Sequence, residues 1–506
     1  MAKQVFKDKE ARERLLAGAE IIVDALVPSY GPEGKDAVIG QGFGIKVTND
    51  GASIAEAIEV PETKENMGHA IGAEIIKQAC RKLNKTSGDG TSSVAILTYH
   101  VMKEAHKLIE AGYKAKDIKR GLIKAGEEII AFLDKEKQDV SGKVLDIATI
   151  AARDPETGKL VADVIEKVGK EGHVSVVESE TGETYSEIVE GYQFDRGYAS
   201  TLFANTDKQT VEYDNPVVFL TDNKLSKEED VENFHSIAPV VIICADIEGE
   251  ALKSVVRQRL VGVEISVIKA PGLGERQIDT MQDMEFLLEA SIYSEVQEGQ
   301  PGKASKIVIT KEKTTIIGGK GDINPRIKQI RTEMEQASGL KKDQLAQRLA
   351  QLQGKVGIIH VGGQTDEEIG ELKDRIDDAI GATKGALEEG ILPGGGTTLL
   401  RASESLTLSQ KNPVSIGYAV LKSALKKPFE VLMENSGHSV GIMEEKIKWH
   451  NETKVAVDVR TGLALPAVPN GIIDPASVIK EVVRTAVSLG ASFANTGRLV
   501  VEIPEE

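Results

Sequence analysis

The stretch Ser87-Gly88-Asp89-Gly90-Thr91-Ser92-Ser93 lies between two segments of helical periodicity, near 65–85 and 92–111. Its two glycines permit backbone angles that other residues resist. The Thr/Ser run heading the second helix offers hydroxyls to cap free N–H groups. That end of a helix is a ready anion site. Asp89, between the glycines, is placed to hold Mg²⁺ against phosphate oxygens, because Mg²⁺ takes one or two carboxylates plus phosphate and water. Taken alone, the same residues also describe a capped loop-to-helix turn.

Other short segments read in the same two ways. Asn49-Asp50-Gly51-Ala52-Ser53 is a turn with a helix cap. Ser29-Tyr30-Gly31-Pro32-Glu33-Gly34 follows a long helix, and either brings backbone N–H groups to a nucleotide or reverses the chain. Gly394-Gly395-Gly396-Thr397-Thr398 allows close backbone approach to a ligand or to a packed segment. Asp378 falls off the apolar stripe Leu372, Ile376 and Ile380, as a solvated carboxylate or as a base facing a cleft. Asp474 caps the next helix or accepts from a ribose hydroxyl. There is no Gly-x4-Gly-Lys-[Ser/Thr] phosphate loop. A metabolic enzyme with a Rossmann-like insert is disfavoured, because no dinucleotide glycine fingerprint follows a strand.

Outward from these motifs the chain changes texture twice. Helices are expected over 9–27, 65–85, 92–111 and 117–137, with a turn-rich stretch from Ser29 to Gly44. From about 158, strands at Val174–Val177, Pro216–Leu220, Pro239–Ile243 and Ile265–Ile268 alternate with helical segments, which implies an α/β unit with a mostly parallel sheet. Short strands over 306–317 precede a helical hairpin over 325–353 that turns at Gly339. A strand at Val356–Val361, a long helix over 366–388 and a mostly helical remainder follow, with strands near 454–459 and at 498–502. The expected architecture is multidomain α and α/β: a helical domain built from both chain ends, with an α/β insertion.

Composition narrows the function. A formal charge of −17 over 506 residues excludes nucleic-acid wrapping and docking on anionic membranes. Two cysteines, Cys80 and Cys244, are too few for a disulfide framework and read as buried thiols of a reducing compartment. No apolar run spans a membrane and Met1-Ala2-Lys3-Gln4 opens no signal peptide, so a cytoplasmic location is expected. Only one Trp, nine Tyr and ten Phe are present, so each ring outside the core is notable.

The order of the motifs resembles the group I chaperonins, the GroEL type, over nearly the whole chain. Val168-Gly169-Lys170-Glu171-Gly172, Val189-Glu190-Gly191, Gln193-Phe194-Asp195-Arg196-Gly197-Tyr198, Glu248-Gly249-Glu250-Ala251-Leu252, Lys269-Ala270-Pro271-Gly272-Leu273-Gly274 and Glu388-Glu389-Gly390 carry it, together with the glycine motifs. The resemblance implies an ATP-driven ring that encloses non-native polypeptides. It implies an equatorial ATPase domain (1–135 and 390–506), an intermediate domain (136–190 and 355–389) and an apical substrate-binding domain (191–354). Asp50 and Asp378 then match the hydrolytic carboxylates, with Asp378 arriving only when the intermediate domain closes. Ser29, Tyr30, Gly31, Pro32, Asn49, Asp89, Gly90, Thr91, Ser92, Ser93, Ile150, Gly394, Gly395, Asp458 and Asp474 match nucleotide-binding positions, and Asp89 the Mg²⁺ ligand, with K⁺ as a further ion. Tyr198, Ser200, Leu202, Phe203, Val231, Phe234, Leu252 and Val256 match the polypeptide groove. Gly191, Gly354 and Gly390 match hinge elements. The implied partners are non-native polypeptides, a homo-oligomeric ring, sevenfold by that resemblance, and a GroES-type co-chaperonin.

Five departures stand against that pattern. About one extra helical turn lies between Gly68 and Gly88. The segment 227–237 is short and acidic, with Val231, Phe234 and Ile237 as its apolar residues. Arg257 replaces an apolar groove residue, and Asp458 an Asn near the adenine. The chain ends at Glu505-Glu506 rather than in a Gly-Met tail. The acidic segment 227–237 and Arg257 favour, as an alternative, a chaperonin-like ATPase with a narrowed client range or a specialised assembly role.

Overall fold

The structure is a computed structural model describing all residues except 1–2, 42–43, 141, 170–171, 180, 207–208, 233, 235, 237, 273, 295–298, 338–339, 410–411, 451–453 and 504–506. Lys170, Glu171, Ile237, Leu273, the Gly339 turn and Glu505-Glu506 therefore lie outside the described residues. The chain forms two compact units: residues 1–163, 178–185 and 360–506, and residues 164–177 and 186–359. The expected intermediate segments divide between them.

The first unit is helical because its long segments place alanine and aliphatic side chains on one face. The helix Ala476–Ala494 buries most of its length, including Val478, Val482, Val483, Ala486 and Ala491. It packs among Thr91–Glu110 and Ala115–Glu136, with Leu97, Val101, Leu122, Ile129 and Leu421 in the same core. Each large aliphatic side chain buried there contributes about 1.5–3 kcal/mol. The chain ends meet in an antiparallel pair, Lys3–Lys7 with Arg498–Glu502. The terminal strand agrees with the sequence reading, whereas its partner carries no alternating pattern long enough to be read. The helices follow expectation, with the first ending at Leu26 and the second beginning at His69. The stretch read as turn-rich instead begins a β-hairpin, Ala37–Gln41 with Gly44–Thr48.

The second unit is built on a nine-stranded sheet. Here the expectation of a mostly parallel sheet is corrected. Val217–Leu225, Val240–Ile247 and Ile265–Lys269 pair in parallel. Gly302–Ile309 and Thr314–Gly319 form an antiparallel hairpin, which continues antiparallel into Tyr185–Phe194, a strand not read in the sequence. The β-α alternation that signals parallel pairing is confined to the segments joined by helices; hairpin-joined strands run antiparallel. Phe219, Phe234 and Tyr293 pack their rings 5.3–5.7 Å apart in the core.

One buried ion network anchors the helices of this unit. Asp283 is fully buried on Glu275–Leu288 and accepts from Arg326 (2.7 Å) and from both Nε and Nη2 of Arg348 (2.8 and 2.7 Å). Removing the shared carboxylate leaves Arg326 to Gln282 and Gln329 and Arg348 to Asp279, with two buried charges short of their main partner. Asp283→Ala is expected to cost roughly 3–5 kcal/mol, as for other buried pairs broken on one side. Hydrogen exchange across 275–288 and 324–352 checks this, and unchanged protection refutes it.

Candidate functional site

The site forms in the first unit, where the glycine loop at 88–90 enters the helix Thr91–Glu110. Gly90 is the N-cap residue at φ +86°, a left-handed conformation that a side chain would strain. The expected capping by Thr and Ser hydroxyls is corrected: no side chain caps this helix. Its first N–H groups are thus left for another acceptor. Asp89 Oδ1 accepts from Gly90 N at 2.6 Å, which turns the carboxylate back along the loop. Thr91 is buried, and Ser92 and Ser93 are partly buried. Ser93 Oγ donates to Tyr30 Oη at 3.2 Å, joining the loop to the Tyr30-Gly31-Pro32 turn.

The segment Asn49-Asp50-Gly51 meets the same helix end. Asp50 caps Gly51–Ala57, accepting from Ala52 N (3.2 Å) and Ser53 N (2.7 Å). A Cβ on Gly51 would stand 2.7 Å from Thr91 Oγ1 and closer still to Ser92 Oγ, so the two motifs abut. Asn49 is partly buried beside them. The helix Asp366–Glu389 closes another side. A Cβ on Gly88 would lie 3.5 Å from Asp378 Cα, and Gly381 packs on the Ser87 and Gly88 backbone. The stripe Ile376, Ala379, Ile380 and Thr383 is buried while Asp378, off it, is partly buried facing this loop. The helix carrying Asp378 lies against the loop.

On another side, Ile391–Pro393 pairs with Ile473–Pro475, setting Leu392 opposite Asp474. Gly394 N donates to Ile472 O at 2.8 Å, and Gly395 and Gly396 follow at φ +65° and +72°. The triple glycine therefore runs beside the Asp474 strand and heads the helix Thr397–Ser405, which has no side-chain cap either.

The electrostatics follow from this crowding. Burial, and then the carboxylates of Asp50, Asp89 and Asp374, push the Asp378 carboxyl well above the usual range, with Arg153 partly offsetting them. Burial, then Asp89, raises Asp474 to about 7. Burial likewise raises the Tyr30 phenol. Carboxylates outnumber the positive groups here, Arg153 and Lys46. Among the described residues no group of three or more His, Cys, Asp or Glu is arranged to hold a metal ion. A cation here therefore needs ligands from outside the chain.

Several sequence candidates sit differently. Ser29 is buried and its Oγ donates to Leu26 O at 2.9 Å, so its hydroxyl serves the chain turn. Gly31 packs against Leu432, and Pro32 is exposed. Asp458 accepts from Arg460 N (3.0 Å) and Thr461 Oγ1 (2.9 Å), which commits both carboxylate oxygens to its own turn. Ile150 is exposed on Val144–Ala152, a helix packed on Asp366–Glu389. Three residues were missed. Asn435 Nδ2 donates to Val27 O (2.7 Å) and Tyr30 O (2.9 Å), pinning the Tyr30 turn. Lys46 pairs with Asp374, and Arg153 carries the nearby positive charge. None belongs to a recognisable motif, and Asn435 and the Lys46–Asp374 pair act across long separations.

In the second unit the groove candidates separate into two groups. Phe203, Val231 and Phe234 are core residues, which corrects their assignment to an exposed surface. Tyr198, Ser200, Leu252 and Val256 are partly buried, and Leu202 is 54% exposed. Glu228 accepts from Ser254 Oγ (3.0 Å) and from Arg257 Nη2 (3.1 Å), bridging the acidic segment to the helix Gly249–Leu260. Leu260 and Val261, unread in the sequence, are exposed at the end of that helix. Cys80 and Cys244 are buried and unpaired, and burial pushes both thiols up to about 12.

The chain belongs to the TCP-1/cpn60 chaperonin family, whose model matches residues 22–238 and 234–502. Its fold is similar to that of the chaperonin gp146 from the bacteriophage EL 2 (Pseudomonas aeruginosa), crystallised in the presence of ATP-BeFx. Two crystal forms of that protein match with TM-scores of 0.67 and 0.63, each at 20% identity over 99% of both chains. No helix among the described residues is long and apolar enough to cross a membrane.

The raised Asp474 carboxyl gives a signed pH effect. Unfolded, it ionises near pH 3.9; folded, near 7. The folded state holds the proton more tightly, so this group's stabilisation is fully present below about pH 3.9 and is lost as pH rises through 7. Asp474→Asn should therefore raise the nucleotide-free melting temperature more at pH 8 than at pH 5. A difference independent of pH between those values counts against it.

Proposed function

We propose that this chaperonin is an ATP-dependent folding machine of the group I type that works as a homo-oligomeric ring. The observation that carries the reading is the convergence of Asp89, Asp378 and Asp474 on an uncapped glycine-headed helix end, with Asp50 on the adjoining segment. Backbone N–H groups of residues 90–93 and the 394–396 glycines suit phosphate oxygens. The surplus of carboxylates suits a nucleotide that arrives with Mg²⁺. Asp89 is its protein ligand, because Mg²⁺ keeps phosphate oxygens and water for its other positions. The ion would neutralise charge on the phosphates; K⁺ is a further candidate cation. Asp474 suits the ribose, and Tyr30, Gly31 and Pro32 one wall.

Phosphoryl transfer depends on positioning and charge neutralisation. Asp378, with its raised proton affinity, is the general base that orients and deprotonates the attacking water, and Asp50 supports it. The three-domain division, with hinges at Gly191, Gly354 and Gly390, remains part of this proposal. Gly191 N donates to Gly354 O at 3.1 Å, so the two upper crossings lie side by side. Non-native polypeptides are the proposed clients, taken up on apolar apical surface. A GroES-type partner would share that surface, in the cytoplasm.

One observation favours the narrower reading of clients. The Glu228 bridge to Ser254 and Arg257 ties the acidic segment across the helix, while Val231 and Phe234 turn into the core. Less apolar groove is left for a promiscuous binder.

Asp378→Ala should lower ATP turnover roughly 10²-fold or more, as for loss of a general base, while ATP affinity stays within about threefold. Steady-state hydrolysis and equilibrium binding check this, and full turnover in the variant refutes the assignment. The assembled protein should also suppress aggregation of an unfolded model client and release it folded with ATP. Failure with several unrelated clients supports the specialised role instead.

A further inference from the structure

Lys46 stands on the hairpin strand Gly44–Thr48, outside every nucleotide motif. Its Nζ donates to Ser53 Oγ at 3.2 Å and to Asp374 Oδ2 at 3.3 Å. Both contacts end next to a proposed hydrolytic carboxylate. Ser53 is the residue whose N–H is held by Asp50 Oδ2 at 2.7 Å. Asp374 precedes Asp378 by four residues on one helix, which puts both on the same face one turn apart. A single ammonium therefore links the Asp50-capped segment to the helix turn bearing Asp378.

We infer that Lys46 is a positioning residue for hydrolysis, a latch that holds the Asp366–Glu389 helix in register with the Asp50 segment. The side chain is 26% exposed, so the link is shielded on one side only. It adds a tether beyond backbone packing, where Gly88 and Gly381 let the helix approach but present no polar grip. Asp374 would otherwise add an unpaired negative charge one turn from Asp378. The inference rests on the proposed ATPase reading, but the latch itself can be observed without nucleotide.

Lys46→Met keeps the aliphatic stem and removes the charge and the donor. An exposed ion pair is worth up to about 1 kcal/mol, and 1.4 kcal/mol is tenfold. The expected result is therefore a kcat roughly 3–5-fold lower with KM for ATP within about twofold. Lys46→Arg should recover most of that loss. Amide exchange over residues 366–389 of the nucleotide-free Lys46→Met protein should be faster, at an assembly size unchanged by light scattering. Asp374→Asn should reproduce both effects, and Lys46→Met/Asp374→Asn should be no worse than either single variant. Parental kcat together with parental exchange in Lys46→Met overturns the latch, as do losses that simply add in the double variant. If the parental protein shows no ATP turnover, the ATPase reading falls, and if Asp378→Ala keeps full turnover, the role of Asp378 falls; in both cases the exchange comparison still decides whether the latch exists.

Discussion

The approach of the Asp366–Glu389 helix to the Gly88 backbone is the contact on which the rest of the site depends. It is close enough that Asp378 Cα would touch a Cβ at position 88. That contact brings a carboxylate borne by one chain segment over a helix N-terminus built by another, more than 280 residues away. Asp50 and Asp474 approach from two further segments. Like charges gathered in a partly dehydrated space raise one another's proton affinity. Burial first, and that repulsion second, raise the Asp378 and Asp474 carboxyls. The fold supports it because aliphatic packing of the surrounding helices, not the site, supplies the stability.

The site is therefore strained in charge, and a metal–phosphate ligand would relieve the strain. The long helix that bears Asp378 packs on the loop, so the loop and the position of that helix share one contact. A tether such as Lys46 then sets how firmly that helix rests before any ligand arrives. Conformational gating of this kind commonly limits turnover in enzymes with closing elements.

The second unit shows a different balance. Its core holds three of the residues expected at a client surface, and a polar bridge crosses between the acidic segment and the neighbouring helix. Apolar exposure lies instead at Leu202, Leu260, Val261, Val263 and Ile278. Burying Phe203, Val231 and Phe234 enlarges a compact core in a chain with few rings. The exposed residues that remain are aliphatic.

Periodicity, glycine placement and motif order by themselves determined the helical ends, the inserted α/β segment, and the loop residues Gly88 to Ser93. Those signals are local: a helical stripe or a left-handed turn is written within one turn of chain. The tertiary structure alone decided which candidates face the site. Ser29 and Asp458 carry suitable side chains, yet their oxygens are taken up by their own turns. Asn435, Lys46 and Arg153 lack any motif and enter only through partners distant in sequence. Strand direction was misread for the same reason, because pairing is set by long-range register and connection geometry rather than by the composition of each strand.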